Sequence, residues 1–207
     1  NTKPNPVSLY AATKRDSEIE LLESKIDTII LRFSTIFGPS ERLRFDLVVN
    51  LFIAQAYFDK NITVFGGDQK RPFLHVADAA NSIKNFLNYK NTNSQDIYNI
   101  GFDELNFTIG DIAKLVSKNI PHSNISYMNE NNDYRNYHVS FKKYNSTFNN
   151  LNRFSIVDSI NQYIELFNKE SINYKSDIYS NLITTKNFLD KSKSELRFVN
   201  NFEWKKI

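Results

Sequence analysis

Tyr10 and Lys14, in the run Tyr10-Ala11-Ala12-Thr13-Lys14, are the two residues whose types and spacing most directly suggest chemistry. Side chains four positions apart on a helix share a face, so a phenol and an ammonium would point into the same space. An unperturbed tyrosine titrates near ~10. A nearby cation favours the phenolate, and each unit of lowering corresponds to about 1.4 kcal/mol. Such a tyrosine serves as a general base near neutrality. The same lysine can donate hydrogen bonds to a ribose, which ties the pair to a nucleotide cofactor. The other reading of this spacing is an exposed surface pair, worth ~0.2–0.5 kcal/mol at most.

The pair needs a helix to hold it, and the surrounding pattern supplies one. Ser8 can cap a helix over LYAATKRDSEIELLESK, with Leu9, Ala12, Ile19 and Leu22 at helical spacing and Lys25 near its end. The β-branched run at residues 28–33 reads as a strand buried on both faces of a parallel sheet, and Gly38-Pro39 breaks the chain after it. A second helix is expected over residues 45–58, a short strand over 62–65 and a turn at Gly66-Gly67-Asp68. The PFLHV segment leads into a helix beginning near Asp78, which is expected to cap it. Residues 97–101 read as another strand. A helix follows Thr108 and stops at Pro121, residues 125–128 can form a strand, and helical patterns cover 141–151 and 156–169. From about Glu170 the apolar pattern weakens into a tail that packs on the surface or is ordered by a partner. No internal repeat is visible. Strands alternating with helices give an α/β class.

Composition narrows the setting. The 207 residues carry 41% hydrophobic and 24% charged side chains, ordinary for a globular protein. A formal net charge of +3 is too small to argue for nucleic acid or membrane binding, and it is compatible with a phosphate-bearing substrate. With no cysteine there is neither a disulfide framework nor a thiolate metal site, and a reducing cytoplasm is the natural reading. His75, His122 and His138 lack metal-ligand spacing. No apolar run approaches the ~20 residues of a membrane span, and no signal peptide is visible. The abundant Asn and Lys clusters read as solvated loops.

Several ordered motifs together resemble one family. Pro6-Val7-Ser8-Leu9-Tyr10 with Lys14, then LRFSTIFGPSERLRFDLVVN, then ITVFGGDQKRPFLHVADAA, look like the extended short-chain dehydrogenase/reductases, the NAD-dependent nucleotide-sugar epimerases and dehydratases. The resemblance runs from about Pro6 to Leu166 and includes DYRNYHVSFKK. It implies that Tyr10 is the acid/base acting on a sugar hydroxyl, and that Lys14 binds the nicotinamide ribose and depresses the pKa of Tyr10. Residues 34–37 would pass beside the nicotinamide and the sugar largely through backbone groups, Thr35 on the substrate side and Phe37 on the cofactor side. Arg71 matches the arginine that grips the substrate diphosphate, for which a guanidinium fork is suited. Arg135 is a second substrate candidate, although its spacing departs from the common arginine-Gly-Asp pattern. Asn50 could hydrogen-bond the nucleotide, or be a plain helix residue. His75 reads as a satisfied structural histidine, and Thr13 is given no role.

No GxxGxxG turn occurs among the five glycines, so the pyrophosphate-binding strand-turn-helix is not here. If four βα units precede Asn1, roughly 120 residues lie upstream. The expected architecture is the C-terminal part of a Rossmann-type parallel sheet plus a smaller mixed α/β substrate-binding domain. Residues 1–40 would end the NAD-binding domain, with segments at about 62–101 contributing to it. Residues 41–169 would be mainly the substrate domain, and 170–207 a C-terminal extension. The resemblance thus implies an NAD-dependent epimerase, dehydratase or reductase working through a keto-sugar on a nucleotide-diphosphate sugar, with NADP as the other cofactor choice. Full length it would be a homodimer, and the chain alone would be inactive. Epimerisation and dehydration diverge at residues the family places before Asn1. The rival is a non-catalytic nucleotide-sugar-binding protein, a truncated or degenerate member.

Overall fold

The computed structural model describes residues 3–90, 94–128, 136–148 and 153–192. Helix α1 (Leu9–Glu23) leads into β1 (Thr28–Phe33), β2 (Thr35–Phe37) and α2 (Val48–Ala54), which continues as one π-helical turn, Gln55–Asp59. Then come β3 (Asn61–Phe65), β4 (Lys70–His75), α3 (Val76–Leu87), β5 (Gln95–Ile100), β6 (Asn106–Thr108) and α4 (Ile109–Asn119). Strand β7 (Asn124–Met128) and helices α5 (Lys142–Thr147), α6 (Ile156–Lys169) and α7 (Asn181–Ser192) complete the order.

Three small sheets carry the strands. Strand β1 runs parallel to β5, with Ile30 opposite Ile97 and Arg32 opposite Asn99. Strand β2 is parallel to β4, with Thr35 opposite Phe73, and β4 is antiparallel to β6, with Arg71 opposite Phe107. Strand β3 is parallel to β7. In β3 the period of two is plain: Ile62 and Val64 are fully buried while Phe65 is exposed. Parallel pairing with interposed helices makes this an α/β protein, with β6 adding an antiparallel edge.

Local signals explain the best-defined helices. In α6, Ser155 accepts from the Asp158 N–H while the Asp158 carboxylate accepts from the Ser155 N–H, a reciprocal cap. Its buried stripe of Ile156, Ile160, Tyr163 and Phe167 recurs at helical spacing. Helix α4 starts at Thr108, whose hydroxyl accepts from Asp111 N, and it buries Ile112, Ala113 and Val116. Here the sequence pattern and the structure agree.

Elsewhere the structure corrects the pattern. The helix expected from residue 45 begins only at Val48, because Phe45 is drawn into the core at 4% exposure. The helix expected over 141–151 spans six residues. Helix α3 starts at Val76 with His75 as its cap, the ring accepting from Ala77 N; Asp78 lies in the first turn instead. Helix α1 buries none of its residues, and Leu9 and Ile19, expected on its inner stripe, are 82% and 42% exposed. Its half-covered residues are Ala11, Ala12, Arg15, Glu18 and Leu22. In β1, expected to be buried on both faces, only Ile30 is buried. The reason is shared: among the described residues β1 is paired on one edge only, with β5. The tail is more than a surface strap at its start, since Ile172 and Tyr174 enter the core.

Candidate active site

Tyr10 sits in the first turn of α1, where Ser8 Oγ accepts from the Ala11 N–H at 3.2 Å. The helix delivers the expected pairing: the Lys14 Nζ lies 5.6 Å from the centre of the Tyr10 ring, and Tyr10 is 72% exposed. Thr13, on a different face, spends its hydroxyl on the Tyr10 carbonyl at 2.9 Å. Two polar contacts dock α1 on the sheet. Arg32 of β1 forks onto Glu18, with Nε to Oε1 at 2.8 Å, and the Glu18 hydrogen bond, against partial burial, raises the guanidinium pKa further. The Gln95 side chain of β5 donates to the carbonyls of Leu21 at 3.0 Å and Ser24 at 2.7 Å. The Tyr10–Lys14 pair, on an exposed helix face, is thereby anchored to the β1–β5 sheet.

A second group of candidates gathers around β2. Ser34 joins the two sheets, its N–H and its hydroxyl both donating to the Ile100 carbonyl, at 3.1 and 2.9 Å. Thr35 is half-buried opposite Phe73. The Phe37 side chain turns away from any cofactor, which leaves its backbone for the role the resemblance implies. It is 1% exposed and packs edge-on against Phe73 and His75, so only its backbone could meet a cofactor. Asn50 is buried at 2% exposure and already engaged: Oδ1 accepts from Gly38 N at 3.0 Å, and Nδ2 donates to the Arg44 carbonyl at 2.9 Å. It clamps the loop that follows β2.

Arg71 lies on β4, two residues before the partner of Thr35. Its side chain is folded inward at 7% exposure, with Nη1 donating to the Lys70 carbonyl at 2.8 Å and the guanidinium 5.1 Å from the Tyr137 ring centre. Arg135 lies outside the described residues. A shallow cleft of ≈ 350 Å³ opens between Pro39, Ser40, Glu41 and Leu43 on the loop and Leu166 and Glu170 at the end of α6. Its lining includes neither Tyr10 nor Lys14.

His75 closes the corner beneath this loop. Its Nδ1 accepts from Ala77 N at 3.2 Å, which leaves Nε2 to donate to Gln162 Oε1 at 2.9 Å, and its ring stacks on Phe154 at 4.5 Å. Burial lowers its pKa, against the Gln162 bond and Asp158. Both nitrogens are occupied, as befits a structural histidine. Gly38, at φ 103°, presses on it: a Cβ there would lie 2.5 Å from His75 Nε2. Sequence reasoning passed over Phe154 and Gln162, whose partner His75 lies 79 and 87 residues earlier in the chain. The only local hint was Gly38.

The nicotinamide end of NAD fits the pair on α1, since Lys14 is an exposed donor beside an exposed phenol. Among the described residues the N–H groups of Gly38, Gly66, Gly67 and Gly110 are committed internally, so none of these four offers a seat to the pyrophosphate end. Among the described residues no cluster of His, Asp or Glu could hold a metal ion, and no helix is long and apolar enough to cross a membrane.

Residues 1–101 match the model of the NAD dependent epimerase/dehydratase family. It is 34% identical over 88 residues to an uncharacterized UDP-glucose epimerase of Bacillus subtilis, covering 40% of this chain and 27% of that protein. It is 32% identical over 77 residues to the bovine (Bos taurus) methionine adenosyltransferase 2 subunit beta, covering 37% and 23%. The solved UDP-glucose 4-epimerase of Thermotoga maritima, crystallised with UDP-glucose, superposes with a TM-score of 0.67 at 20% identity, covering 82% of this chain and 59% of that one. The fold therefore matches part of an epimerase Rossmann-like fold, and the chain spans well under two thirds of each of these proteins.

Proposed function

We propose that this chain carries the proton-transfer pair and the sugar-nucleotide domain of an NAD-dependent nucleotide-sugar epimerase or dehydratase. The observation that supports it most is the Tyr10–Lys14 pair, set on one exposed helix face within the family-matched residues. In this reading residues 1–40 and segments of 62–101 belong to the cofactor domain, 41–169 mainly to the substrate domain, and 170–207 to an extension. NAD, when bound, supplies the redox step at the sugar carbon. Tyr10 exchanges the proton of the sugar hydroxyl. Lys14 holds a ribose hydroxyl and keeps positive charge beside the phenol oxygen. Thr35 faces the reacting sugar and the backbone of Phe37 the nicotinamide, and Arg71, with Arg135, serves the diphosphate. The working form is a homodimer.

The test, in a full-length version that includes the cofactor domain, is turnover of a panel of nucleoside-diphosphate sugars with NAD, read by NMR of the sugar product. Tyr10→Phe should lose turnover ~10²–10⁴-fold while nucleotide-sugar binding persists. Near wild-type turnover in that variant would remove Tyr10 from the mechanism. A second reading, a non-catalytic binding subunit, is favoured by the similarity to a protein named as a subunit of methionine adenosyltransferase. Binding of nucleotide sugar without turnover in the wild type, unchanged by Tyr10→Phe, would select it.

A further inference from the structure

The loop at residues 38–47 leaves β2 and carries no regular structure before α2. Its position is set mostly from far away in the chain. The Phe45 ring is enclosed by Tyr163, Phe167, Tyr174 and Tyr179, with centres 5.9, 6.0, 6.0 and 5.2 Å away. The Phe45 N–H donates to the Tyr179 carbonyl at 3.1 Å. The Asp46 carboxylate accepts from the Asn181 N–H at 3.0 Å and from the Arg44 fork at 3.0 Å. Arg44 in turn offers its carbonyl to Asn50, whose Oδ1 takes the Gly38 N–H. The same C-terminal segment is fixed at its other end, where the Tyr174 hydroxyl and Lys175 bond Asp59 at the close of the π-helical turn.

We propose that residues 172–181 are a strap that positions the 38–47 loop, and through Asn50 the end of β2, for the sugar nucleotide. This rests on the function proposed above for β2. The strap is fastened on both sides of α2, to the loop before it and to Asp59 after it. Between those points a ring enclosed by four aromatics and two backbone-level hydrogen bonds hold the loop, which has no sheet or helix of its own to do so. Tyr174, Tyr179 and Asp46 are positioning residues, acting through the loop and not on substrate.

Amide hydrogen exchange on the protein and on Asp46→Ala decides it, because Asp46 is exposed and its loss leaves the core intact. Exchange at the Gly38 and Phe45 amides should quicken about tenfold, the effect of one lost hydrogen bond. It should stay unchanged in Lys169→Ala, which breaks only the surface pair with Glu165. The KM for nucleotide sugar should rise in Asp46→Ala while kcat holds. Unaltered exchange in Asp46→Ala, or quicker exchange with no change in KM, overturns the strap. Equal quickening in Lys169→Ala does so as well. If the full-length wild type, with its cofactor domain complete, turns over no nucleotide sugar, the proposed function fails while the exchange result still decides whether the strap sets the loop. Phe45→Leu, which keeps an apolar plug, provides the second variant and should quicken the same amides.

Discussion

Asn50 shows how one buried amide ties a loop to a helix. Asn50→Ala leaves the Gly38 N–H and the Arg44 carbonyl without their side-chain partners, at a cost of ~1–3 kcal/mol for each buried group left unpaired. Asn50→Asp keeps an acceptor for Gly38 and loses the donor to Arg44, so its urea midpoint should fall between wild type and alanine. An alanine variant as stable as wild type would show that the clamp contributes nothing. His75 gives a pH dependence with a definite sign. Its pKa in the folded protein lies below the ordinary value through burial, so below ~6.5 the unfolded chain binds the extra proton first. The neutral ring's contribution is fully present above that value and is lost as pH falls through the window beneath it. Asp78 works the other way: burial raises its carboxyl pKa, against the Phe154 N–H bond, so its contribution declines as pH climbs above ~3.9. His75→Gln should flatten the fall in stability below about pH 6.5; an equal slope in both proteins, by denaturant titration, would refute the assignment.

Among elements, those whose reasons are local were readable. Helix α6 matched its expected span because its cap and its apolar stripe lie within the same few turns. Ser155→Ala should cost ~0.5–2 kcal/mol, visible as a lower thermal midpoint, and no change would show the cap to be redundant. Strand β1 was likewise legible at residues 28–33. Phe45 was not: its helical spacing was outweighed by aromatic partners more than a hundred residues later in the chain. The cap of α3 was misplaced for a similar reason. The Asp78 carboxylate looks local, but it is taken by the Phe154 N–H, 76 residues on, and His75 caps in its place. The α1 stripe failed differently, since helical periodicity does not say which face finds a cover.

At the scale of the molecule, the family resemblance was legible because its motifs are ordered along the chain, whereas the disposition of site residues was not. Tyr10 and Lys14 came together as their spacing dictates. Phe37 turned inward because a three-residue strand beside Phe73 and His75 leaves its ring only the core. Arg71 separates substrate from cofactor in the proposed function. A charge-assisted contact of ~1.5–3 kcal/mol predicts that Arg71→Ala weakens nucleoside-diphosphate binding roughly ten- to a hundredfold. Arg71→Lys should recover only part of it, since a point charge lacks the fork. NAD affinity should hold, because the glycine turn for its pyrophosphate is not among these residues. Calorimetric titration of both ligands checks this, and equal losses for the two would count against the diphosphate role.

The π-helical turn at Gln55–Asp59 has a consequence for how related sequences can drift. A π turn accommodates one more residue than an α turn would, and here it presents Phe58 to Tyr174, stacked at 5.7 Å, and Asp59 to Lys175. A one-residue deletion would restore plain helix and rotate the following side chains by about 100°, away from both. Chain length between α2 and β3 should therefore covary, across relatives, with aromatic and basic residues at the positions of Tyr174 and Lys175. Shortened members should carry neither.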